Sequence, residues 1–173
     1  DHQVYTLKTA EATNKSNAPT ITKAVKDDNN QQVSFYDKIN YAVTVTVPTY
    51  PASATNTKFV VNDVQPAGVT FVADSLVVMG YTSAPNDAGT VIPGASNFDV
   101  NGDYTFMYGE IKNYSKIVLT YTGKLTASAA AYTDLTNTAT LTYSVDPYGT
   151  KTSGITASAA VSTGSLAIVK VGE

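Results

Sequence analysis

Hydrophobic and polar residues alternate along several short stretches of the chain, most cleanly in the segment KINYAVTVTVP at residues 38–48. Alternate side chains of a β-strand point to opposite faces of the sheet. One face of this segment carries Asn, Ala and Thr, and the other carries the apolar and aromatic residues Ile39, Tyr41, Val43, Val45 and Val47. Pro48 cannot donate a backbone hydrogen bond within a sheet, so we expect the strand to end there.

The same β pattern recurs along the chain, and turn-forming residues separate the repeats. The segments are TITKAV at 20–25, KFVVNDV at 58–64, VTFV at 69–72, DSLVVMGY at 74–81, KIVLTYTGKL at 116–125, NTATLTYSV at 137–145 and GITASAAVS at 154–162. Roughly eight short strands with turns between them predict an all-β sandwich. No amphipathic segment of helical length competes with this interpretation.

The segments between the strands predict loops and turns. Residues 82–103 are rich in Gly, Pro, Asn, Asp and Ser, which favours long loops. Within them, Asn101-Gly102 predicts a hairpin turn. A short helical turn is expected around Ala129–Tyr132.

The amino-acid composition argues against several classes of function. The chain has 173 residues, no Cys and a net charge of -3, with 14% charged and 43% apolar residues. This balance disfavours a nucleic-acid binder, which needs a basic surface, and it disfavours disorder. The one His is His2, near the start of the chain, so a hydrolase triad or a His-based metal site is not expected.

One motif superficially resembles a cation site. The sequence DVNGD at 99–103 spaces its oxygens like the start of a calcium loop, but it lacks the Glu that such loops carry at the twelfth position. We therefore favour a turn, and we expect no metal and no cofactor.

Three polar residues occupy strand positions where apolar residues are expected. Lys23 shares a face with Ile21 and Val25, and an unpaired Lys is costly to bury. Asp63 follows Phe59 and Val61 on one face of its strand, and Asn137 precedes Ala139 and Leu141 on another. The tyrosines of the strand patterns have the simpler expectation of core packing: Tyr41, Tyr121 and Tyr143.

Four segments occur in a characteristic order: PTITKAV at 19–25, DKINYAVTVTVP at 37–48, NDVQPAGVTF at 62–71 and NTATLTYS at 137–144. Their order and spacing resemble the isopeptide-forming domain of Gram-positive, sortase-assembled fimbrial backbone proteins. The resemblance covers residues 19–163. It implies an immunoglobulin-like (Cna-type) β-sandwich that forms an intramolecular bond between a lysine and an asparagine.

The resemblance also implies roles for individual residues. Lys23 would supply the amine, Asn137 the carboxamide, and Asp63 the acid that promotes the reaction, with Asp37 in DKINY as the alternative acid. The protonated acid would hydrogen-bond the Asn carbonyl and make its carbon more electrophilic. The last segment, GSLAIVKVGE, resembles the first strand of a following pilin domain, in which Lys170 would serve a second bond.

The implied organisation has three parts: residues 1–18 as a linker or the end of a preceding domain, 19–163 as the isopeptide domain, and 164–173 as a linker or the start of the next domain. The implied function is a structural shaft module at the cell surface or cell wall, joined covalently to other pilin subunits by sortase. Its bond-forming reaction would occur once per molecule, so the domain is not an enzyme. Neither nucleic acid nor membrane insertion is expected for this fragment.

The alternative is an adhesin domain of a surface protein that binds a host glycan or matrix protein through residues 82–103. An exposed aromatic patch in that segment would favour it. The sorting signal LPxTG is not found in the sequence.

Overall fold

The computed structural model describes residues 18–26 and 32–165, and almost all of its regular elements are strands. In chain order they are β1 (Ile21–Val25), β2 (Gln32–Val33), β3 (Lys38–Thr46), β4 (Phe59–Val64), β5 (Val69–Phe71), β6 (Val77–Tyr81), β7 (Thr90–Val91), β8 (Asp103–Thr105), α1 (Tyr108–Ile111), β9 (Lys116–Leu125), β10 (Asp134–Ser144) and β11 (Thr152–Thr163).

Two sheets form the predicted sandwich. The first has the strand order β1-β3-β9-β6-β7, with β5 also paired to β9, and the second has the order β2-β11-β10-β4-β8. All of these pairs are antiparallel except β2 with β11. The all-β sandwich expected from the sequence is confirmed.

The core lies between the two sheets, where the alternation of the strands directs their apolar side chains. On β3 the inward residues Ile39, Tyr41, Val43 and Val45 are all buried, as the sequence pattern predicts. Strand β1 lies at the edge of the first sheet and also lies against β11 of the second. This contact brings the beginning and the end of the described sandwich together.

The structure differs from the predicted local elements in three respects. Several additional strands are only two or three residues long, which is too short to give an alternating pattern. The hairpin predicted at Asn101-Gly102 is correct as a turn but wrong as a strand pair, because residues 92–99 before the turn form no strand and β8 after it pairs with β4. The helical turn predicted around residues 129–132 is also wrong, because only residues 131 and 132 form a turn and Tyr132 has a positive φ of 51°.

Candidate functional site

Lys23 lies in the middle of β1, and its side chain is completely buried between the two sheets. Its neighbour across the β1–β3 pair is Val43. The Nζ atom donates hydrogen bonds to a carboxylate oxygen of Asp63, to the hydroxyl of Tyr121 at 2.7 Å and to Oδ1 of Asn137 at 3.0 Å. The amine is therefore held by polar partners in the core and does not extend to solvent.

Asp63 and Asn137 project toward Lys23 from the opposite sheet. Asp63 lies opposite Ala139 in the β4–β10 pair, and Asn137 is two residues from Ala139 along β10. Because alternate residues of a strand share a face, both side chains point into the core. Asp63 is 3% exposed and Asn137 is 0% exposed. The cluster thus connects two sheets through residues 114 positions apart in the chain.

The environment favours the neutral forms of both ionisable groups. Burial lowers the pKa of the Lys23 amine, despite the opposing effect of the neighbouring Asp63. Burial raises the pKa of the Asp63 carboxyl, and this effect exceeds those of Lys23 and of the hydrogen bonds from Tyr121 and Asn137. A pair of unlike charges in a dry core loses hydration that its mutual attraction does not fully restore. Burial therefore shifts both groups toward their neutral forms, an uncharged amine beside a protonated acid.

The Asn137 carboxamide has well-defined partners. Its Oδ1 accepts a hydrogen bond from Lys23, and its Nδ2 donates to the Tyr121 hydroxyl at 2.8 Å and to Oε1 of Gln65 at 3.2 Å. The sequence analysis predicts that Asp63 hydrogen-bonds the carbonyl oxygen of Asn137, whereas in the structure the amine of Lys23 donates to that oxygen. The carboxamide is held within hydrogen-bonding distance of an amine, which is the arrangement needed for attack on its carbon.

Tyr121 and Gln65 belong to the cluster but were not identified from the sequence. The Tyr121 hydroxyl also donates to Oδ1 of Asp63 at 2.9 Å, and the Gln65 amide lies 3.5 Å from the same oxygen. One signal for Tyr121 is present in the sequence, because a buried tyrosine hydroxyl usually needs a polar partner. The partner itself depends on how the two sheets pack.

Aromatic rings surround the amine and exclude water from it. The Lys23 Nζ lies 4.9 Å from the ring centroid of Tyr41 and 5.0 Å from that of Tyr121. These two rings are directly opposite each other in the β3–β9 pair and stack at 5.1 Å. Phe98, from the long loop at 82–103, forms a T-shaped contact with the Tyr121 ring, with the centroids 5.4 Å apart. The amine is therefore enclosed by aromatic rings and removed from solvent.

The other predicted site residues lie elsewhere. Asp37 is exposed, and its carboxylate accepts a hydrogen bond from the backbone N–H of Ser34 at 2.8 Å, within a turn. It is not part of the Lys23 cluster. Lys170 lies outside the described residues, as does His2.

The DVNGD motif forms a turn. The Asp99 carboxylate accepts hydrogen bonds from the backbone N–H groups of Asn101 and Asp103 at 2.8 and 2.9 Å. In residues 18–26 and 32–165, no group of three or more His, Cys, Asp or Glu side chains is arranged to hold a metal ion. No helix in the described part of the chain is long and apolar enough to cross a membrane.

Comparison with solved structures identifies the architecture. The T6 backbone pilin of Streptococcus pyogenes superposes with a TM-score of 0.61 at 22% identity, over 84% of this chain and 36% of the pilin. The major pilin SpaD of Corynebacterium diphtheriae gives a TM-score of 0.60 at 19% identity, over 82% of this chain and 34% of SpaD. The fold is that of a pilin backbone domain. The chain spans about a third of the length of these two pilins.

The pilin fold is shared with a domain that binds collagen. The collagen-binding subdomain ACE19 of the Enterococcus faecalis surface protein ACE superposes with a TM-score of 0.50 at 12% identity, over 81% of this chain and 94% of that domain. No protein-family model and no curated protein sequence matches the chain. At these identities, the likeness establishes the fold.

Proposed function

We propose that this chain is a shaft domain of a Gram-positive pilus that cross-links itself through an isopeptide bond between Lys23 and Asn137. The observation that carries the proposal is the buried cluster of Lys23, Asp63 and Asn137, which bridges the two sheets of a sandwich with the pilin fold. Burying three polar side chains in a core is costly unless they are mutually satisfied. A covalent link between the two sheets would explain why these three polar side chains are buried together.

The reaction exchanges one amide for another. The neutral Nζ of Lys23 attacks Cγ of Asn137, the Nζ–Cγ bond forms and the Cγ–Nδ2 bond breaks. One proton moves from Nζ to Nδ2, and the former carboxamide nitrogen leaves as ammonia. The lowered pKa of Lys23 supports this role, because only the uncharged amine is a nucleophile.

Asp63 is the acid of this reaction. One of its carboxyl oxygens contacts the Lys23 Nζ directly, so it can take the proton that the attacking nitrogen must lose. Its raised pKa supports a carboxyl group that exchanges protons with the amine and does not remain a fixed anion. Asp37, the other acid weighed from the sequence, is exposed and turned toward the Ser34 backbone.

The mechanical role follows from where the bond would lie. Lys23 is in β1, and Asn137 is in β10, so the bond would link one sheet to the other. Strand β11 follows Asn137 and lies outside the loop that the bond closes. Tension that enters through β1 would pass from Lys23 to Asn137 without extending the chain between them.

The remaining features of the proposal concern the parent protein. Residues 19–163 form the cross-linked unit, residues 1–18 and 164–173 connect it to its neighbours, and Lys170 supplies the amine of a following domain. The domain lies outside the cell in a fimbrium, where sortase joins its parent to other pilin subunits. Pilin backbones share this fold, which supports the placement.

An adhesin domain is the second candidate, and the likeness to the collagen-binding ACE19 favours it. The loops at 82–103 were expected to carry an exposed aromatic patch in that case. Their one aromatic residue, Phe98, instead packs its ring against Phe71 and Tyr121. This inward packing favours the shaft domain.

Removing the acid tests the proposed chemistry. We expect Asp63→Ala to fold but to retain its full sequence mass, because no carboxyl group then takes the proton from Nζ. Intact-mass spectrometry under denaturing conditions measures the loss of ammonia, and circular dichroism monitors folding.

Asp37→Ala is the matched control, and it should lose one ammonia as the wild-type chain does. Loss of ammonia in folded Asp63→Ala would remove Asp63 from the reaction. A full-mass Asp37→Ala beside a cross-linked Asp63→Ala would transfer the role to Asp37.

A further inference from the structure

The Tyr121 hydroxyl occupies the centre of the buried cluster. It accepts hydrogen bonds from Lys23 Nζ at 2.7 Å and from Asn137 Nδ2 at 2.8 Å, and it donates to Asp63 Oδ1 at 2.9 Å. A tyrosine hydroxyl has one proton to donate and accepts through its oxygen. This single group therefore contacts the attacking nitrogen, the acid and the leaving nitrogen together.

We propose that the Tyr121 hydroxyl is a catalytic proton relay, which carries a proton from Asp63 to the nitrogen that leaves Asn137 as ammonia. The inference rests on the proposed cross-link and adds a residue to its chemistry. It assigns to Tyr121 a role beyond packing, because the hydroxyl contacts both the acid and the leaving nitrogen.

The leaving nitrogen needs such a donor. An amide nitrogen leaves only after it has gained a proton, and Asn137 Nδ2 lies 2.8 Å from the Tyr121 hydroxyl and 3.2 Å from Oε1 of Gln65. The Gln65 atom that it contacts is the carbonyl oxygen Oε1, which has no proton to give. Of these two contacts, the Tyr121 hydroxyl is the nearer and the one that carries a proton.

The hydrogen bond between Tyr121 and Asn137 must reverse during the reaction. In the planar carboxamide, the nitrogen lone pair is delocalised, so Nδ2 donates to the hydroxyl oxygen. Attack by Nζ makes Cγ tetrahedral and localises that lone pair on Nδ2, which then becomes an acceptor. The contact at 2.8 Å is short enough for proton transfer in the new direction.

The complete relay is balanced. The hydrogen bond between Tyr121 and Asp63 reverses as well. Nζ gives one proton to Oδ2 of Asp63, the neutral acid gives a proton from Oδ1 to the Tyr121 oxygen, and the Tyr121 hydroxyl gives its own proton to Nδ2. Asp63 and Tyr121 each end with the protons they began with. The tetrahedral oxyanion then reforms a carbonyl as the Cγ–Nδ2 bond breaks, and ammonia departs.

The surroundings of Tyr121 suit a proton relay in which the tyrosine hydroxyl stays uncharged. Burial raises the pKa of its hydroxyl, and the nearby Asp63 raises it further, so the group stays neutral. Stacking on Tyr41 and edge contact with Phe98 hold the ring in place. A fixed ring keeps all three hydrogen-bond distances, on which a concerted transfer depends.

Tyr121→Phe removes the hydroxyl and keeps the ring. Unreacted chain, dissolved in denaturant from inclusion bodies, is diluted into refolding buffer, quenched with acid at intervals and weighed by intact-mass spectrometry. We expect Tyr121→Phe to lose ammonia at least about 100-fold more slowly than the wild-type chain, which is the scale of a general acid–base contribution.

Tyr104→Phe is the matched control. The Tyr104 ring is buried and packs on Phe106, and its hydroxyl takes no part in the hydrogen bonds of the Lys23 cluster, so this variant should react at the wild-type rate. Equal rates for Tyr121→Phe and the wild-type chain would overturn the relay and leave the cross-link intact. A wild-type chain that never loses ammonia would instead overturn the cross-link itself.

A second measurement does not depend on the folding of a variant. The wild-type reaction is followed in mixtures of H₂O and D₂O, with folding monitored in parallel. If several protons move in one step, a plot of the rate of ammonia loss against the deuterium fraction of the solvent should be curved. A linear plot would mean that only one proton moves in the rate-limiting step, and it would contradict the relay.

Discussion

Stretching the folded chain by its two ends should give a much shorter fully extended length for the wild-type protein than for Lys23→Met. The residues joined by the proposed bond are 114 positions apart. At full extension a segment of this length spans about 380–410 Å. In the cross-linked protein the covalent path passes from Lys23 directly to Asn137, so this segment does not extend. Single-molecule force spectroscopy measures the difference.

Lys26→Met is the matched control for this experiment. Lys26 follows β1 directly, but its side chain is exposed, so the substitution should leave the extended length at the wild-type value. Strand β11 lies after Asn137 and should extend in all three proteins. Equal extended lengths for the wild-type protein and Lys23→Met would mean that no covalent bond spans the two sheets.

Heat and protease should distinguish the same proteins. A cross-link that closes a loop of this size reduces the entropy of the unfolded chain, which is worth about 4–5 kcal/mol by the loop-closure relation for disulfides. For a domain of this size, we therefore expect Lys23→Met and Asn137→Ala to melt about 10–20 °C below the wild-type protein. Both variants should also be cut by trypsin under conditions in which the wild-type protein resists it, as scanning calorimetry and timed digestion would reveal.

The two variants damage the core in different ways but share the loss of the bond. Lys23→Met keeps a long side chain and leaves Asp63 without its amine, whereas Asn137→Ala keeps the amine and leaves a small cavity. Lys26→Met removes a neighbouring trypsin site, as Lys23→Met does, and should behave like the wild-type protein. A wild-type melting temperature in both core variants would show that the sandwich does not depend on the link.

Much of the fold follows from local patterns in the sequence. The alternation of β3 predicts which of its residues are buried, because one face of each strand must meet the core. Strands such as β7 and β8 are not predictable in this way, since two or three residues cannot establish a period. Their pairing depends on strands that are distant in the sequence.

The site was predictable in part for a related reason. Lys23, Asp63 and Asn137 each interrupt an apolar strand face, so they could be found as polar residues that point inward. Tyr121 does not interrupt its face, because a tyrosine also suits an apolar core. Its hydroxyl acquires a role only when β9 pairs with β3 and the second sheet packs on the first.

The choice between Asp63 and Asp37 also needed three-dimensional information. Both residues belong to segments that resemble pilin motifs. Asp37 precedes β3, and its carboxylate completes a turn with the Ser34 backbone, whereas Asp63 lies within β4 and faces the core. Alternation alone does not reveal where the turn ends and the strand begins.

The most direct test of the proposed cross-link is the intact mass of the purified, folded wild-type chain, measured under denaturing conditions. Formation of the Lys23–Asn137 bond releases ammonia, so the chain should be lighter than its sequence mass by one ammonia. Peptide mapping should then recover one branched peptide that contains both residues. A folded chain with its full sequence mass would contradict the account, because the buried amine and carboxamide would then be neighbours that never react.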